Sequence, residues 1–363
     1  MKKNPTSLSL FHLLRLALVF CLFSTSSAPM VTGEATQQQN PNPPLTLSEL
    51  NKRLLKASQH YKAEIDLSLY VERFAISFEP TPEVVSHLRA NGAHQHLINA
   101  IKRAAEKQIT STARKVGEIT AKTSDPFLEK TRKAMHEYLA DLPDFLCQQV
   151  VERYYDLGGF GIWNSFDRLT YELMYNSGRE SYTPINSVNR PVTRSMEQVR
   201  GTYSTGDFAV GLASLFDPKT QARFNAAGKE WLDKRQTLVY DFRVPLETST
   251  LEVNAEGEQA ITAGYSGTVW IDEETQQILR MDCAADDLPE SVSVTSSESS
   301  VRYGIVKLQN LRGDFFLPLR AEFFIADQRQ KHFFRNVIYF NSYRKFETSI
   351  KILDDPIPPL KKP

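Results

Sequence analysis

The feature that most constrains the fold is a succession of segments in which apolar and polar residues alternate, joined by short turns, from Phe145 to Phe346. Alternation with a period of two is typical of β-strands, and turns this short join antiparallel neighbours. We therefore predict a meander of about nine antiparallel strands. The clearest segments are 145–154, 163–175, 179–185, 236–244, 260–271, 277–283, 301–309, 315–325 and 331–346.

The late strands are apolar on both faces. Phe315 and Leu317 point to one face of their strand, while Phe316 and Phe324 point to the other, and the segment 331–346 repeats the pattern. A sheet with one face in water would carry polar residues on that face. Both faces therefore need cover. Helices can cover one, and a bound apolar ligand, another domain or a partner can cover part of the other.

Helical segments accompany these strands. One, at 126–139, leads straight into the first strand, and a second, at 208–216, interrupts the strand succession and is followed by a predicted helix at 219–227. Long antiparallel meanders tend to curl. We therefore predict an α+β fold in which residues 125–353 form a curled antiparallel sheet packed on helices.

The N-terminus has the order of a secretory signal peptide. A basic start at Lys2 and Lys3 precedes an unbroken apolar run at 16–23 and then small residues. Eight apolar residues are too few to span a bilayer. We predict a signal peptide over residues 1–35, cleaved after Ala28 or Ala35, and a mature chain without a transmembrane segment in the periplasm or cell envelope.

A small helical module is predicted between the signal peptide and the sheet. Residues 36–45 are polar and rich in proline, which predicts a linker, and residues 46–105 contain four segments of helical periodicity. Residues 106–124 are again polar and predict a second linker. The proline-rich residues 354–363 predict a disordered tail.

Two cysteines remain after removal of the signal peptide, Cys147 and Cys283. In an oxidising compartment an even pair is compatible with a disulfide. It is equally compatible with two buried thiols, because sequence spacing alone fixes no distance between the two residues.

Composition and motifs argue against several function classes. Basic and acidic residues number 43 each, so the chain is not a broadly basic nucleic-acid binder. The common hydrolase, nucleotide-binding and zinc-protease motifs are absent from the sequence. We expect no enzyme activity and no cofactor. His94 and His96 lack a completing ligand set, so we expect them to face solvent near a helix start rather than to bind a metal.

A candidate apolar ligand wall combines one strand tryptophan with the helical insert. We expect residues 208–216 to lie across the concave side of the sheet as a lid or plug. A loose fit would leave an apolar pocket, and a tight fit would make the helix part of the core. Gly264 and Gly267 leave room near the tryptophan. The predicted wall consists of Trp270, Phe208, Leu212, Leu215 and Phe216.

Five sequence stretches of the second domain resemble those of an uncharacterised acidobacterial exported protein family. They are residues 142–153 (LPDFLCQQVVER), 178–182 (GRESY), 204–208 (STGDF), 267–272 (GTVWID) and 317–322 (LPLRAE). A first helix running into a first strand, followed by a curled sheet around helices, also resembles the half-barrel of the LolA/LolB-like lipoprotein-sorting group. Residues 76–101 resemble a small helical module of other acidobacterial proteins, for which no chemistry is known.

Two functions of different classes are favoured, and a third, an enzyme without a recognisable motif, stays open. The first is an exported envelope protein that binds or carries a lipid, an acyl chain or a lipoprotein in an apolar half-barrel. The alternative is a non-catalytic interaction or scaffold protein, whose helical module docks an envelope protein partner while the sheet domain is filled.

Overall fold

The architecture is that of a computed structural model, which describes residues 43–57, 60–116, 125–187, 210–253, 260–309, 311–327 and 331–346. The predicted signal peptide, Phe208 and the predicted tail lie outside the described residues, as do most of the first predicted linker and part of the second.

Six helices are described, and their starts follow from local sequence. Thr81 caps one helix by accepting a hydrogen bond from the Val84 amide, with Pro82 at the first helical position. Asp125 caps another through the amides of Phe127 and Leu128. The helices are α1 Leu47–Ala57, α2 Tyr61–Phe74, α3 Pro82–Ala90, α4 Gln95–Val116, α5 Pro126–Asp141 and α6 Val210–Phe216.

The strands form one antiparallel sheet that does not close. Its order is β3-β2-β1-β11-β10-β9-β8-β7-β5-β4, with the short β6 paired to β7. The edges are therefore β3 and β4. The strands are β1 Phe145–Leu157, β2 Asn164–Asn176, β3 Arg179–Ser187, β4 Arg223–Leu232, β5 Arg235–Val244, β6 Leu251–Val253, β7 Ile261–Asp272, β8 Ile278–Asp286, β9 Val294–Val306, β10 Phe315–Asp327 and β11 His332–Lys345. The predicted α+β class with an antiparallel sheet on helices is confirmed.

One face of the sheet carries the largest apolar cluster. Helices α5 and α6 cover this face, and they contribute Met135 and Leu215, which are almost fully buried. Strand residues as far apart in the sheet order as Tyr171 of β2 and Phe224 of β4 join the same cluster. This face is the main core of the protein, and we call it the α5–α6 face.

The helical module, α1 to α4, covers part of the opposite face, which we call the module face. The module has its own apolar core, including Leu50, Leu88 and Ile101. Helix α4 contacts β7, β8 and β9, and α3 contacts β4. The expectation that both faces of the sheet are covered therefore holds for the described strands that these helices contact.

Three details differ from the prediction. Helix α4 continues to Val116, through the first part of the segment 106–124 that was predicted as a linker. A helix was predicted at 219–227, but only a single 3-10 turn, Pro218–Thr220, forms there, and β4 begins at Arg223. Gln221 ends the turn in the left-handed region (φ +52°), and Phe224 then pairs with Phe242 of β5. The meander is also interrupted, because the last strand, β11, lies between β1 and β10. Among the described residues, no helix is both long and apolar enough to cross a bilayer.

Candidate functional site

A cavity of about 710 Å³ lies between the helical module and the β4 edge of the sheet. It is on the module face, opposite the side where the sequence analysis placed the candidate pocket. Its size is in the range of small-molecule sites. The lining residues are Ser77, Phe78, Glu79, Pro80, Pro82, Val85, Arg89, Lys102, Ala105, Glu106, Gln108, Ile109, Asn225, Ala226, Ala227, Glu230 and Asp241.

One wall of the cavity is apolar and depends on a close approach between α3 and β4. Phe78, Pro82 and Val85 line the cavity from the module side, and Ala226 lines it from β4. Opposite Pro82, β4 has an irregular register that contains Gly228 at φ +102°. A Cβ on Gly228 would lie 2.9 Å from Cβ of Pro82. Glycine is therefore needed for both the backbone conformation and the helix contact.

Arg89 forms part of the cavity floor. Its side chain is only 10% exposed and its guanidinium lies over the Trp270 ring, 4.8 Å from the ring centroid. Nη2 donates a hydrogen bond to Thr268 Oγ1 at 2.7 Å. Nε is buried and has no hydrogen-bond partner among the residues that the structure describes. Burial lowers the pKa of Arg89, with nearby carboxylates acting in the opposite direction.

Glu230 lies beside Arg89. Its Oε2 accepts a hydrogen bond from Trp270 Nε1 at 2.8 Å, whereas its Oε1 is 3.9 Å from Arg89 Nη1. The second distance is too long for a hydrogen bond. Arg89 and Glu230 are therefore neighbours of opposite charge that do not form a hydrogen bond with each other.

Lys102 and Asp241 complete the floor. Lys102 Nζ is 2.5 Å from Asp241 Oδ2, and Asp241 Oδ1 accepts a hydrogen bond from Thr268 at 2.9 Å. Burial lowers the pKa of Lys102, while Asp241 acts to raise it. Lys102 and Asp241 thus neutralise each other and connect α4 to β5. Of the charged side chains of the floor, only Arg89 has a buried nitrogen, Nε, without a hydrogen-bond partner among the described residues.

A second buried polar cluster holds the start of α4. Glu64 of α2 accepts hydrogen bonds from the His94 amide and from His94 Nδ1, both at 2.6 Å. Glu298 of β9 does the same for His96, at 3.1 and 3.2 Å. Carboxylates are favourable at a helix N-terminus, where the backbone amides lack intrahelical acceptors. We call Glu64, His94, His96 and Glu298 the latch, because they join α2, α4 and the sheet.

The latch corrects the expectation that both histidines face solvent. The His94 side chain is 29% exposed and that of His96 is 11% exposed. Burial lowers the pKa of His94, but the Glu64 carboxylate outweighs it and raises the pKa to about 9. Burial also raises the pKa of Glu298, and His96 outweighs this effect and lowers it to about 2. The His94 imidazole is therefore charged at neutral pH and paired with Glu64. Burial lowers the pKa of His96 as well, but Glu298 outweighs this effect and raises it.

These shifts predict a pH dependence of stability. His94 has a raised pKa in the folded state, so its contribution is complete below pH 6.5 and is lost as the pH rises through about 9. Glu298 has a lowered pKa, so its contribution is complete above pH 4.5 and is lost as the pH falls through about 2. We expect the melting temperature to fall between pH 7 and pH 10, and to fall less in His94→Gln. An equal alkaline loss in both proteins would contradict the assignment.

The structure does not assemble the predicted ligand wall. Leu212, Leu215 and Phe216 are buried together in the apolar cluster of the α5–α6 face. Trp270 is also buried, but it lies on the module face, between the guanidinium groups of Arg89 and Arg280. Successive side chains of a strand point to opposite faces of the sheet. Val269 and Ile271 therefore point into the apolar cluster of the α5–α6 face, and Trp270, which lies between them in the sequence, points away from it. Phe208 lies outside the described residues.

A disulfide, one of the two alternatives that the sequence left open, is not formed. Cys147 lies in β1 and Cys283 in β8, four positions apart in the sheet order. Four strand spacings amount to about 19 Å, whereas a disulfide needs Cα atoms within about 7 Å. Cys147 is buried, and burial raises its pKa to about 12, whereas Cys283 Sγ is 3.1 Å from Ser299 Oγ. Of the two possibilities that the sequence left open, the structure favours two thiols.

The sequence analysis missed the residues of the cavity floor. Arg89, Lys102, Glu230 and Asp241 are spread over four elements, and no spacing links them. A weak signal was present in α4, where Gln95, Asn99 and Lys102 form a polar stripe beside the apolar one. Only the packing of α4 on β7, β8 and β9 shows that Gln95 and Asn99 of this stripe are buried and Lys102 is partly buried. Among the described residues, no group of three or more His, Cys, Asp or Glu side chains is arranged to hold a metal ion.

No protein-family model and no curated protein matches the chain. Several solved structures are similar to it. A DUF1329 family protein from Desulfovibrio piger is 11% identical, with 61% of this chain and 94% of that chain covered and a TM-score of 0.28. A LolA superfamily protein from Nitrosomonas europaea is 8% identical, with 61% and 94% covered and a TM-score of 0.26.

A putative outer membrane lipoprotein-sorting protein domain from Vibrio parahaemolyticus is 8% identical, with 62% of this chain and 95% of that chain covered and a TM-score of 0.28. The likeness to the LolA-like group that the sequence predicted is thus also found between structures.

Proposed function

We propose that the protein is exported to the cell envelope and binds the apolar chain of an amphiphilic molecule, a lipid or an acylated molecule, in the cavity between the helical module and β4. The observation that carries this proposal is the cavity of about 710 Å³ with an apolar wall and a charged floor. Such a combination is typical of small-molecule sites, where apolar side chains provide affinity and a few polar groups orient the ligand.

The packing of the α5–α6 face also supports placing the ligand on the module face, because protein side chains already fill the α5–α6 side. Leu212 is 5% exposed and Leu215 is 0% exposed, so α6 packs as core in the part of the sheet where the sequence analysis allowed a pocket. On the module face, in contrast, apolar groups such as Phe78 and Pro80 line open space. An acyl chain on this wall would bury apolar surface, which contributes about 25 cal/mol per Å².

The test is uptake of a neutral fluorescent apolar dye, Nile red, by the full-length mature chain after extraction of bound lipid. Ala226 is exposed on the β4 wall, and Ala226→Trp would fill the cavity. Its matched control is Ala90→Trp, also an exposed alanine, at the end of α3 and outside the cavity lining. We expect saturable dye binding, at least tenfold weaker in Ala226→Trp and unchanged in Ala90→Trp.

The alternative function, a filled scaffold whose helical module docks a protein partner, makes the opposite prediction. Absence of saturable dye binding, or equal binding by the two tryptophan variants, would exclude ligand binding in this cavity and leave the scaffold function.

If the dye binds as expected, mass spectrometry of the lipid that co-purifies with the protein from native envelopes identifies the natural ligand.

A further inference from the structure

Three arginines lie side by side on the module face, one on each of three neighbouring strands. Arg280 of β8 is opposite Arg302 of β9, and Arg302 is opposite Arg320 of β10. Residues directly opposite each other on paired strands point to the same face, with Cβ atoms about 5 Å apart. Arg280 is also opposite Trp270, which lies on the module face. We call Arg280, Arg302 and Arg320 the arginine row.

The arginine row is open to solvent and unfavourable for the sheet by itself. The side chains of Arg280, Arg302 and Arg320 are 30%, 40% and 38% exposed, and none of them lines the cavity. Like charges at directly opposite positions destabilise a pair of strands, and the row contains two such pairs. An anion bound between the arginines would replace this repulsion by attraction.

The two outer arginines of the row are held in place by carboxylates. Arg280 donates two hydrogen bonds to Asp282, at 2.6 and 2.8 Å, and stacks on the Trp270 ring, 4.7 Å from the ring centroid. Arg320 donates to Glu322 at 2.9 Å. These contacts fix the directions of both guanidinium groups, and donors that are already oriented lose less conformational freedom when a ligand binds.

The middle arginine has no such carboxylate beside it. The position between Asp282 and Glu322 is occupied by Ser300, whose hydroxyl donates to Asp282 at 2.7 Å. Arg302 pairs instead with Asp233 of the turn between β4 and β5, at 2.6 Å, and the Asp233 side chain is 72% exposed. Exposed ion pairs are weak. A ligand can therefore compete with Asp233 for Arg302.

Charge and donor geometry favour a phosphate at this place. The arginine row and Arg335, which shares Glu322 with Arg320, form ion pairs with three carboxylates among the described residues. The group therefore has a formal excess of one positive charge. Guanidinium groups offer forked N–H donors that match phosphate oxygens, and a phosphate monoester brings up to two negative charges and three acceptor oxygens.

We infer that the arginine row is a binding site for a phosphate monoester group. The phosphate lies over Arg302, takes the place of Asp233 there, and accepts hydrogen bonds from Arg280 and Arg320 on either side. The same chemistry is found in soluble phosphorylated molecules and in the head group of phosphatidic acid. The site is separate from the cavity, so this inference does not depend on the proposed function.

The experiment titrates the full-length mature chain with glycerol 3-phosphate at pH 8, where a phosphate monoester carries two negative charges. The ionic strength is kept constant with sodium chloride, because salt screens exposed charges. We expect saturable binding at one site and a rise in melting temperature, since a ligand of the native state stabilises it.

Vesicle flotation distinguishes the two sources of the phosphate. Capture by phosphatidylcholine vesicles that contain phosphatidic acid, but not by phosphatidylcholine alone, assigns a lipid source. Binding of glycerol 3-phosphate without capture by either vesicle assigns a soluble one. Failure of both glycerol 3-phosphate and phosphatidic acid vesicles to bind overturns the inference.

Two variants test the middle of the row. We expect Arg302→Gln to weaken phosphate binding about tenfold, because it removes charged donors. Its melting temperature without ligand should not fall, since relief of two like-charge pairs offsets the loss of the Asp233 pair. Asp233→Asn removes the competing carboxylate and should tighten binding about threefold. The control is Arg344→Gln, because Arg344 is also 40% exposed and pairs with Glu172 outside the row.

The outcomes separate a binding role from a structural one. A lower melting temperature in Arg302→Gln with unchanged phosphate binding would make Arg302 a structural residue and overturn the inference. Equal weakening of binding in Arg302→Gln and Arg344→Gln would show unspecific charge attraction and overturn it too. If Arg302→Gln does not fold by circular dichroism, Asp233→Asn decides, and binding that is not tighter in that variant contradicts the site. Nile red uptake should be the same in Arg302→Gln and wild type, so the cavity and this site stand or fall separately.

Discussion

Replacing Glu298 by Gln is expected to lower the free energy of unfolding by about 3 to 5 kcal/mol. Glu298 is 3% exposed as a side chain and accepts hydrogen bonds from both the amide and the ring of His96. Without its charge, the buried ring of His96 loses the carboxylate with which it is paired, and Glu64 remains the single latch carboxylate for two histidines. Breaking a buried ion pair from one side is costly because the other charge stays buried.

The measurement is chemical denaturation at pH 7, with amide hydrogen exchange of α4 as a local readout. The matched control is Glu172→Gln, which removes the same charge from an ion pair with Arg344 whose side chains are 36% and 40% exposed. Such surface pairs contribute about 1 kcal/mol or less. A loss below 1 kcal/mol in Glu298→Gln, or one no larger than in the control, would show that the latch does not hold the module to the sheet.

Replacing Leu212 by Ala is expected to cost about 2 to 5 kcal/mol of stability, as in other well-packed cores. Leu212 belongs to α6, is 5% exposed and packs in the cluster of the α5–α6 face. The truncation leaves a cavity that the surrounding strands fill only in part. The sequence left two roles open for this residue, lid of a pocket or part of the core, and the burial favours the core.

The control for this truncation is Leu319→Ala, because Leu319 is 43% exposed and should lose little contact area. We also expect Leu212→Ala to leave Nile red binding unchanged, since the proposed cavity lies on the opposite face of the sheet. A small stability loss combined with altered dye binding would place the ligand beneath α6 and would contradict both the core role of Leu212 and the proposed site.

The two faces of the sheet differ in the chemistry of their contacts. The α5–α6 face is closed by apolar packing, whereas α4 meets the module face largely through polar groups. Asn99 donates to Ser266, and Arg103 Nη1 is 2.9 Å from Asp286 Oδ1. Burial raises the pKa of Asp286, with Arg103 opposing it. A polar interface of this kind fixes the position of α4 on the sheet, because each buried polar group must meet its hydrogen-bond partner.

Much of the fold was predictable because the signals are local. The period of two along 260–271 and the turn after Asp272 predict β7 and β8, and the proline at the first position of α3 predicts its start. The prediction of a helix at 219–227 was wrong because the interaction that decides this segment is not local. Its local pattern is weak, and pairing with β5 decides the conformation of β4.

The sequence by itself determined the class of the fold, since strand alternation, helix caps and apolar stripes are properties of neighbouring residues. The position of β11 beside β1, the separation of Trp270 from Leu212 and the distance between Cys147 and Cys283 were decided only in the tertiary structure. The candidate site belongs to this second group. Arg89 and Glu230 are neighbours because α3 packs on β4, and contacts between residues so distant along the chain leave no periodic trace in the sequence.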